Sequence, residues 1–242
     1  MCFDTDSLPP IPVLSGGALT HEDLVLEADD GTRFAAFAAL PDETSDDGVV
    51  ILPDVRGLYR FYEELALRFA ERGHTAIAID YFGRTAGVEK RGDDFEYRPH
   101  VDQTTPKGVQ ADVAAAVARL RELGCKSIFT VGFCFGGRNS WLAAASGHGL
   151  AGAIGFYGRP PMDAAARMEA PILALQAGTD QKISAEDNAA FDEALTEAEV
   201  AHEVVTYEGA PHSFFDRKQE DFQEASTDAW TRVLAFIEHH RS

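Results

Sequence analysis

Three residues of this chain, Cys134, Asp180 and His212, have the types and the order of a nucleophile, an acid and a base. Cys134 lies in Gly-Phe-Cys-Phe-Gly-Gly (132–137), directly after the apolar run 127–131 and before a helix-like stretch. This is the setting of a nucleophile elbow, in which small residues two positions before and after the nucleophile let strand and helix approach. At the helix N-terminus the dipole and the amide groups stabilise a thiolate. Most lone cysteines are buried structural residues, and the flanking glycines are what favours the elbow here.

The acid and the base follow the elbow in the order that such a fold requires. Asp180 ends the turn Ala-Gly-Thr-Asp after the apolar run 171–176, and His212 lies in the loop 208–214 after the strand pattern 203–207. Because the carboxyl ends of parallel strands meet at one edge of a sheet, we expect the three side chains there together. His212 would take the proton of Cys134, Asp180 would orient the imidazole, and Cys134 would attack a carbonyl. Taken singly, Asp180 is typical of a turn and His212 of a loop; their order favours the triad.

The elements that must position these residues alternate between strand and helix patterns, which predicts a mostly parallel sheet in an α/β fold. Residues 83–104 are polar and without periodicity, so we expect a long loop there. Residues 1–20 are expected to form an extended arm. An antiparallel hairpin is predicted at 23–28 and 33–40, further strands at 49–52 and 75–80, and helices at 61–72, 106–123, 184–198 and 222–240.

Composition limits the class of protein. The chain has 242 residues, 45% of them hydrophobic, and no apolar run near the length needed to span a bilayer, so we expect one α/β domain over 1–242. The N-terminus shows no secretory signal, and the three cysteines form no CxxC pair or zinc pattern, so we expect a cytoplasmic protein without metal or cofactor. A formal net charge of −19 argues against nucleic acid and membrane as partners.

The sequence resembles the dienelactone hydrolase family over about residues 20 to 240. The elbow, Gly-Phe-Tyr-Gly (155–158), the turn 178–180 and the block 209–214 carry the resemblance, together with Leu-Pro-Asp-Val-Arg-Gly (52–57) and Asp-Tyr-Phe-Gly-Arg (80–84). The resemblance implies a three-layer α/β-hydrolase fold, with a mostly parallel central sheet of about eight strands and helices on both faces. It also implies that the backbone N–H groups of Val55 and Phe135 form the oxyanion hole.

The same resemblance implies roles for several charged residues. Asp54 stands where a family glutamate controls the resting thiol, although capping of the following turn is an equally good interpretation. Arg84 matches an arginine that binds the substrate carboxylate. The position of a second such arginine holds Asp216, next to Arg217. Arg56 replaces an apolar family residue at the other lip of the site and could bind the substrate instead. Lone arginines are more often solvated surface groups.

Aromatic residues around the elbow are more often core than substrate contacts. We expect Tyr157 and Phe214 to contact substrate, because both follow strands beside the predicted site.

Two functions remain open at this stage. The first is hydrolysis of small lactones or esters, with or without a carboxylate group, through an acyl-enzyme on Cys134 in a monomer or small homo-oligomer. The second is a non-hydrolytic relative that binds a small ligand or senses oxidants through the same thiol. Asp180 and His212 favour the hydrolase, since a binder needs no acid–base relay. Cys134 excludes a serine esterase, and it occupies the second glycine position of a dinucleotide fingerprint.

Overall fold

The computed structural model describes residues 6–14, 19–216 and 219–241, which form an eight-stranded sheet with helices on both faces. The strands lie side by side in the order β1-β2-β4-β3-β5-β6-β7-β8. They are β1 Leu19–Glu27, β2 Arg33–Pro41, β3 Asp47–Leu52, β4 Thr75–Ile79, β5 Ser127–Phe133, β6 Gly152–Phe156, β7 Ile172–Ala177 and β8 His202–Tyr207. The helices are α1 Arg60–Ala70, α2 Gly83–Ala86, α3 Arg98–Val101, α4 Pro106–Glu122, α5 Phe135–Ala144, α6 Ala185–Glu197 and α7 Gln223–His240, with a 3₁₀-helix at Met162–Arg167.

The sheet is mostly parallel, as predicted. β1 and β2 form the expected antiparallel hairpin, and β2 pairs antiparallel to β4. From β4 through β3, β5, β6 and β7 to β8 every pairing is parallel. The carboxyl ends of these six strands therefore lie at one edge, where the elbow and the loops after β7 and β8 emerge.

The sheet separates two layers of core side chains, because successive residues of a strand face opposite sides. In β3, Val49 and Ile51 pack into the core that α1 and α7 cover, whereas Val50 and Leu52 pack into the core beneath α4. A third cluster lies among α5, α6 and the 3₁₀-helix. No helix in the described ranges is both long and apolar enough to cross a bilayer.

The start of α4 shows how local chemistry fixed a predicted boundary. The Thr105 hydroxyl accepts a hydrogen bond from the Gly108 amide at 3.1 Å, and Pro106 occupies the first helical position. Proline suits that position because its missing N–H would have no partner in the helix anyway. The sequence pattern therefore predicted the beginning of this helix correctly, and its end to within one residue.

The segment 83–104, expected to be one unpatterned loop, contains the short helices α2 and α3. The buried guanidinium of Arg91 holds it against the sheet, donating to Asp80 Oδ2 at 2.8 Å and to the Gly87 carbonyl at 2.7 Å. The ring of Phe95 stacks on that of His100, with centroids 5.0 Å apart. The segment is a long loop, as expected, with two short helices that no sequence pattern indicated; one buried cation can order a segment that has no periodicity.

The predicted arm over 1–20 falls partly outside the described residues, which omit 1–5 and 15–18. The described part, 6–14, packs on the body of the protein through the buried side chain of Ile11. The Leu14 amide donates to Glu71 Oε2 at 3.1 Å, and the Gln219 side chain donates to the Leu8 carbonyl. The last predicted arm residues, 19 and 20, instead begin β1.

Candidate active site

The candidate nucleophile Cys134 occupies the single residue between β5 and α5. Its backbone has φ 55° and ψ −109°, a region that residues with a side chain rarely adopt. Such strain persists only where the surrounding structure imposes it, and it concentrates at functional sites. Cys134 is partly buried and not part of a disulfide. The backbone of the chain thus has the sharp strand-to-helix turn that the motif predicted.

The two small residues around Cys134 are required by close backbone contacts. A Cβ added at Gly132 would lie 2.0 Å from the Gly136 carbonyl oxygen. One added at Gly136 would lie 2.0 Å from the carbonyl oxygen of Leu52 and 2.3 Å from that of Pro53. Any side chain at either position would force strand and helix apart. The second contact also brings the start of α5 against the end of β3.

Asp180 and His212 are joined directly. His212 Nδ1 lies 2.6 Å from Asp180 Oδ2, and the Asp180 side chain is almost fully buried. Burial alone would raise the pKa of Asp180, but hydrogen bonds from His212 and from the Lys182 amide, at 2.8 Å, hold it below its usual value. An ionised Asp180 keeps the proton of the imidazole on Nδ1, which leaves Nε2 with its lone pair.

The other nitrogen of His212, Nε2, is buried and has no hydrogen-bond partner among the described residues. A buried polar atom is rarely left unpaired, and catalytic sites are a recognised exception. The ring lies 5.0 Å from that of Tyr157, which follows β6. Cys134 is tied to the same strand end, since its amide donates to the Phe156 carbonyl at 3.0 Å. The geometry brings Cys134, Tyr157, Asp180 and His212 to the ends of four adjacent strands.

Two backbone donors are available for an oxyanion hole. Residues 54–57 form a turn after β3, closed by the Gly57 amide to the Asp54 carbonyl at 3.2 Å. The amide of Val55 inside this turn has no acceptor among the described residues. Phe135 is the first residue of α5, so its N–H has no intrahelical acceptor. The close packing of Gly136 on Pro53 brings these two segments together beside Cys134.

The turn at 54–57 is held by two tyrosines that the sequence analysis did not identify. The Asp54 amide donates to the Tyr62 hydroxyl at 3.0 Å, and the Tyr81 hydroxyl donates to the Pro53 carbonyl at 2.7 Å. Both tyrosines are buried, and burial raises their pKa values well above the usual one. Tyr62 lies on the apolar face of α1, where its spacing is that of any core residue, so no sequence signal distinguished it.

The carboxylate of Asp54 is engaged by Arg56. Its Oδ1 accepts from the Arg56 amide at 2.9 Å and from Nε at 3.1 Å, and its Oδ2 accepts from Nη2 at 2.9 Å. The amide contact is the turn-capping interaction that was the alternative interpretation of Asp54. Arg56 also pairs with Asp216 and is only 4% exposed. Arg56 does not lie where a substrate carboxylate would reach its guanidinium, because two buried carboxylates already occupy it.

Arg84, the other candidate for carboxylate binding, is paired on both sides. Its Nη1 donates to both oxygens of Asp112 at 2.8 and 2.7 Å, and its Nη2 donates to Asp30 Oδ2 at 2.9 Å. Asp112 is fully buried, and burial raises its pKa to about 7. Asp30 is half exposed and is the weaker tie. A ligand carboxylate would have to displace Asp30 to reach Arg84.

The two aromatic candidates differ in position. Tyr157 has φ 36° and is itself only 2% exposed, and its ring lies beside His212 at the edge where the site forms. Phe214 is fully buried in the core, with its ring 5.6 Å from that of Tyr157 and 5.0 Å from that of Tyr207. The structure therefore places Phe214 behind Tyr157, out of reach of a substrate. An aromatic residue in the loop of His212 can face either the core or the site, and the sequence does not show which of these directions Phe214 takes. Arg217 lies outside the described residues.

Comparisons with known proteins identify the family of this chain. The profile of the dienelactone hydrolase family matches residues 34–241. The carboxymethylenebutenolidase of Rhodococcus opacus is 27% identical over 259 aligned residues, which cover 99% of this chain and 97% of that protein.

Solved structures share the fold. A structure from Klebsiella pneumoniae named "Putative Dienelactone Hydrolase" has a TM-score of 0.81 at 25% identity, covering 91% of this chain and 99% of that one. A dienelactone hydrolase-like promiscuous phosphotriesterase from metagenomic libraries has the same TM-score at 22% identity, covering 93% of this chain and 100% of its own. These likenesses confirm the predicted fold class. The family profile covers most of the chain, and the chain therefore belongs to the dienelactone hydrolase family.

Proposed function

We propose that this protein hydrolyses small lactones or carboxylic esters with Cys134 as nucleophile, His212 as base and Asp180 as its orienting acid. The observation that carries the proposal is the buried Nε2 of His212, which has no hydrogen-bond partner among the described residues. The other nitrogen of the same imidazole, Nδ1, lies 2.6 Å from Asp180 Oδ2, which fixes the orientation of the ring. A nitrogen held in this way can take a proton from the thiol at the elbow. The family membership supports the same class of reaction.

The first half of the reaction makes an acyl-enzyme. The Cys134 thiol gives its proton to His212 Nε2, and the sulfur attacks the carbonyl carbon of the substrate. The carbonyl oxygen becomes an oxyanion, which accepts hydrogen bonds from the amides of Val55 and Phe135. When the tetrahedral intermediate collapses, the alkoxide leaves and takes the proton from the imidazolium. In a lactone the released hydroxyl stays attached to the acyl group.

The second half returns the enzyme to its starting state. Water gives a proton to His212 Nε2 and adds as hydroxide to the thioester carbon. The thiolate of Cys134 leaves, the carboxylic acid is released, and the imidazolium returns its proton to the sulfur. Thioesters of simple acids hydrolyse slowly, so we expect higher turnover of activated or vinylogous lactones than of alkyl esters.

The pairing of two arginines supports a proposal about the charge of the substrate. The two described arginines that the resemblance put forward for a substrate carboxylate, Arg56 and Arg84, are both paired with aspartates. An uncharged lactone needs no such pair to open, whereas a carboxylate-bearing one must displace the half-exposed Asp30 from Arg84. We therefore propose uncharged lactones as the preferred class.

The test is steady-state hydrolysis of a carboxylate-bearing dienelactone, its methyl ester, a saturated lactone and p-nitrophenyl acetate by wild type and Cys134→Ser. We expect the methyl ester to be hydrolysed fastest, and the variant to lose about 10³-fold or more in kcat/KM. Cys125→Ser is the matched control, because Cys125 is a buried thiol before β5 at the opposite end of the strand. The kcat/KM of this control variant should stay within about twofold of the wild-type value.

Other outcomes would change the proposal in defined ways. Turnover that survives in Cys134→Ser would contradict the thiol mechanism. Faster hydrolysis of the free carboxylate than of its methyl ester would contradict the preference for uncharged substrates and assign Arg84 to substrate binding. Silence on all four compounds, with reversible oxidation of Cys134, would favour the ligand-binding or redox alternative.

A further inference from the structure

The turn that carries Val55 is tied by the side chains on either side of that residue. Asp54 and Arg56 make three hydrogen bonds with each other, one of them to the Arg56 amide. These bonds fix the two peptide planes between residues 54 and 56. The direction in which the Val55 N–H points is set by those planes. The Asp54–Arg56 pair thus controls the orientation of one proposed oxyanion donor.

The same guanidinium reaches a second loop. Arg56 Nη2 also donates to Asp216 Oδ2, and Asp216 closes the turn after His212 through its amide, which donates to the Ser213 carbonyl at 3.1 Å. The two loops follow β3 and β8, which are separated in the sheet by β5, β6 and β7. Arg56 therefore connects the oxyanion turn and the histidine loop across three intervening strands.

The side chains that make this connection are buried and packed against aromatic rings. The three side chains are between 3% and 5% exposed. The guanidinium lies between aromatic rings, 5.1 Å from the centroid of Tyr59 and 5.6 Å from that of Tyr62. Burial raises the pKa of Asp216 to about 6, with Asp54 contributing in the same direction and Arg56 and Ser7 opposing.

A buried ion cluster is poor evidence for stability, because apolar side chains of the same volume often stabilise a fold as well or better. What a cluster of this kind supplies is a unique geometry. Here the cluster fixes the position of the loop that carries His212 relative to the turn that carries Val55. The proposed catalysis needs this relative position, whereas folding does not.

We propose that Arg56 is a positioning residue, which together with Asp54 and Asp216 holds the Val55 N–H in register with His212 across the active site. This inference rests on the proposed hydrolase function. In this proposal the tie acts through the donor of the oxyanion rather than through the thiol or the bound substrate. Weakening it should lower kcat, and leave KM and the reactivity of Cys134 unchanged.

Two variants test the proposal. Asp216→Asn keeps the shape of the side chain but removes its charge, and Arg56→Lys keeps the charge but loses the fork that binds two carboxylates. We expect kcat to fall about tenfold in Asp216→Asn and about a hundredfold in Arg56→Lys, since a misplaced oxyanion donor costs up to 10²–10³ in kcat. KM should stay within about twofold in both variants.

Asp47→Asn is the matched control. Asp47 is a buried carboxylate at the other end of β3, paired with Arg241 at 3.4 Å. We expect its kcat to stay within about twofold even where its thermal midpoint falls as far as that of Asp216→Asn. Alkylation of Cys134 by iodoacetamide, followed by mass spectrometry of its peptide, should proceed at the wild-type rate in all three variants.

The outcomes separate this inference from the function on which it rests. Wild-type turnover with unchanged kcat in both variants would overturn the positioning role alone. A rise in KM at constant kcat would make Arg56 a substrate ligand, and slower alkylation in step with kcat would place the effect on the thiol; either result overturns the proposal. Absence of Cys134-dependent hydrolysis in wild type would overturn both. If neither variant folds, Ser7→Ala, which removes only the hydroxyl bonded to Asp216, should lower kcat about threefold, and an unchanged kcat would overturn the proposal.

Discussion

The two ends of the sheet each hold an aspartate beside a histidine, and the two pairs differ in geometry. At the carboxyl edge, His212 Nδ1 lies 2.6 Å from Asp180 Oδ2. At the amino edge, His74 precedes β4, Asp47 begins β3, and His74 Nδ1 lies 3.6 Å from Asp47 Oδ2, beyond hydrogen-bond distance. The first pair fixes a tautomer and leaves Nε2 available. The second only packs.

The same residue types therefore give a candidate catalytic pair or a packing pair according to distance and surroundings. Burial lowers the pKa of His74 below its usual value, with Asp47 opposing, so the imidazole is neutral near pH 7. Its Nδ1 has no hydrogen-bond partner among the described residues. The His74 pair borders no nucleophile elbow, so its unpaired nitrogen has no proton to receive from a reacting group.

Replacing each histidine should give the largest contrast. We expect His212→Asn to lower kcat/KM about 10⁴-fold, because the proposed mechanism loses its only base. His74→Asn should leave kcat/KM within about twofold. Measurement of both with the same lactone decides the matter, and a large loss of activity in folded His74→Asn would contradict the division of roles between the two edges.

Replacing each aspartate should give a smaller contrast of the same sign. Asp180→Asn should lower kcat about 10³-fold, since an amide can donate to Nδ1 and thereby stabilise the wrong tautomer. Asp47→Asn should change kcat less than twofold. Rates for the two variants over pH 6–9 give the comparison. Equal losses in both would mean that the 2.6 Å contact has no special role.

The smallest expected effect concerns stability and pH. Because the pKa of His74 is lower in the folded protein than in the unfolded chain, the unfolded chain binds the proton more readily below about pH 6.5. The free energy of unfolding should therefore decrease as the pH falls from 7 to 5. His74→Gln should reduce this decrease in urea titrations at the two pH values. An unchanged difference would assign the pH dependence to other groups.

Local motifs explain what could be predicted from the sequence. The elbow, the turn of Asp180 and the loop of His212 each depend on a few neighbouring residues, and parallel strands then bring them to one edge. The site contacts that could not be predicted depend on residues far apart in the chain. Arg56 meets Asp216 across 160 positions, and Asp216 meets Ser7 across 209. No periodicity or motif in the sequence indicates such long-range contacts. The partners of Arg56 could therefore not be predicted, and Arg56 was expected to bind substrate.

Aromatic and charged residues near the site were predicted less well for a related reason. Phe214 follows a motif histidine, but its side chain turns to the core, which is full of rings at that end of the sheet. Arg84 was expected to bind a ligand, but its guanidinium is paired with Asp112 on α4. In both cases the position along the chain was informative and the direction of the side chain depended on tertiary packing.

The backbone of Cys134 has an evolutionary consequence. A residue with a side chain at φ 55° costs on the order of 1 kcal/mol or more, and glycine would adopt the same conformation without that cost. Replacement of Cys134 by glycine should therefore relieve this strain. Under the mechanism proposed above, selection for turnover is what retains the cysteine, so relatives that have lost the reaction should lose Cys134 before they lose Gly132 or Gly136, whose close backbone contacts the fold itself requires.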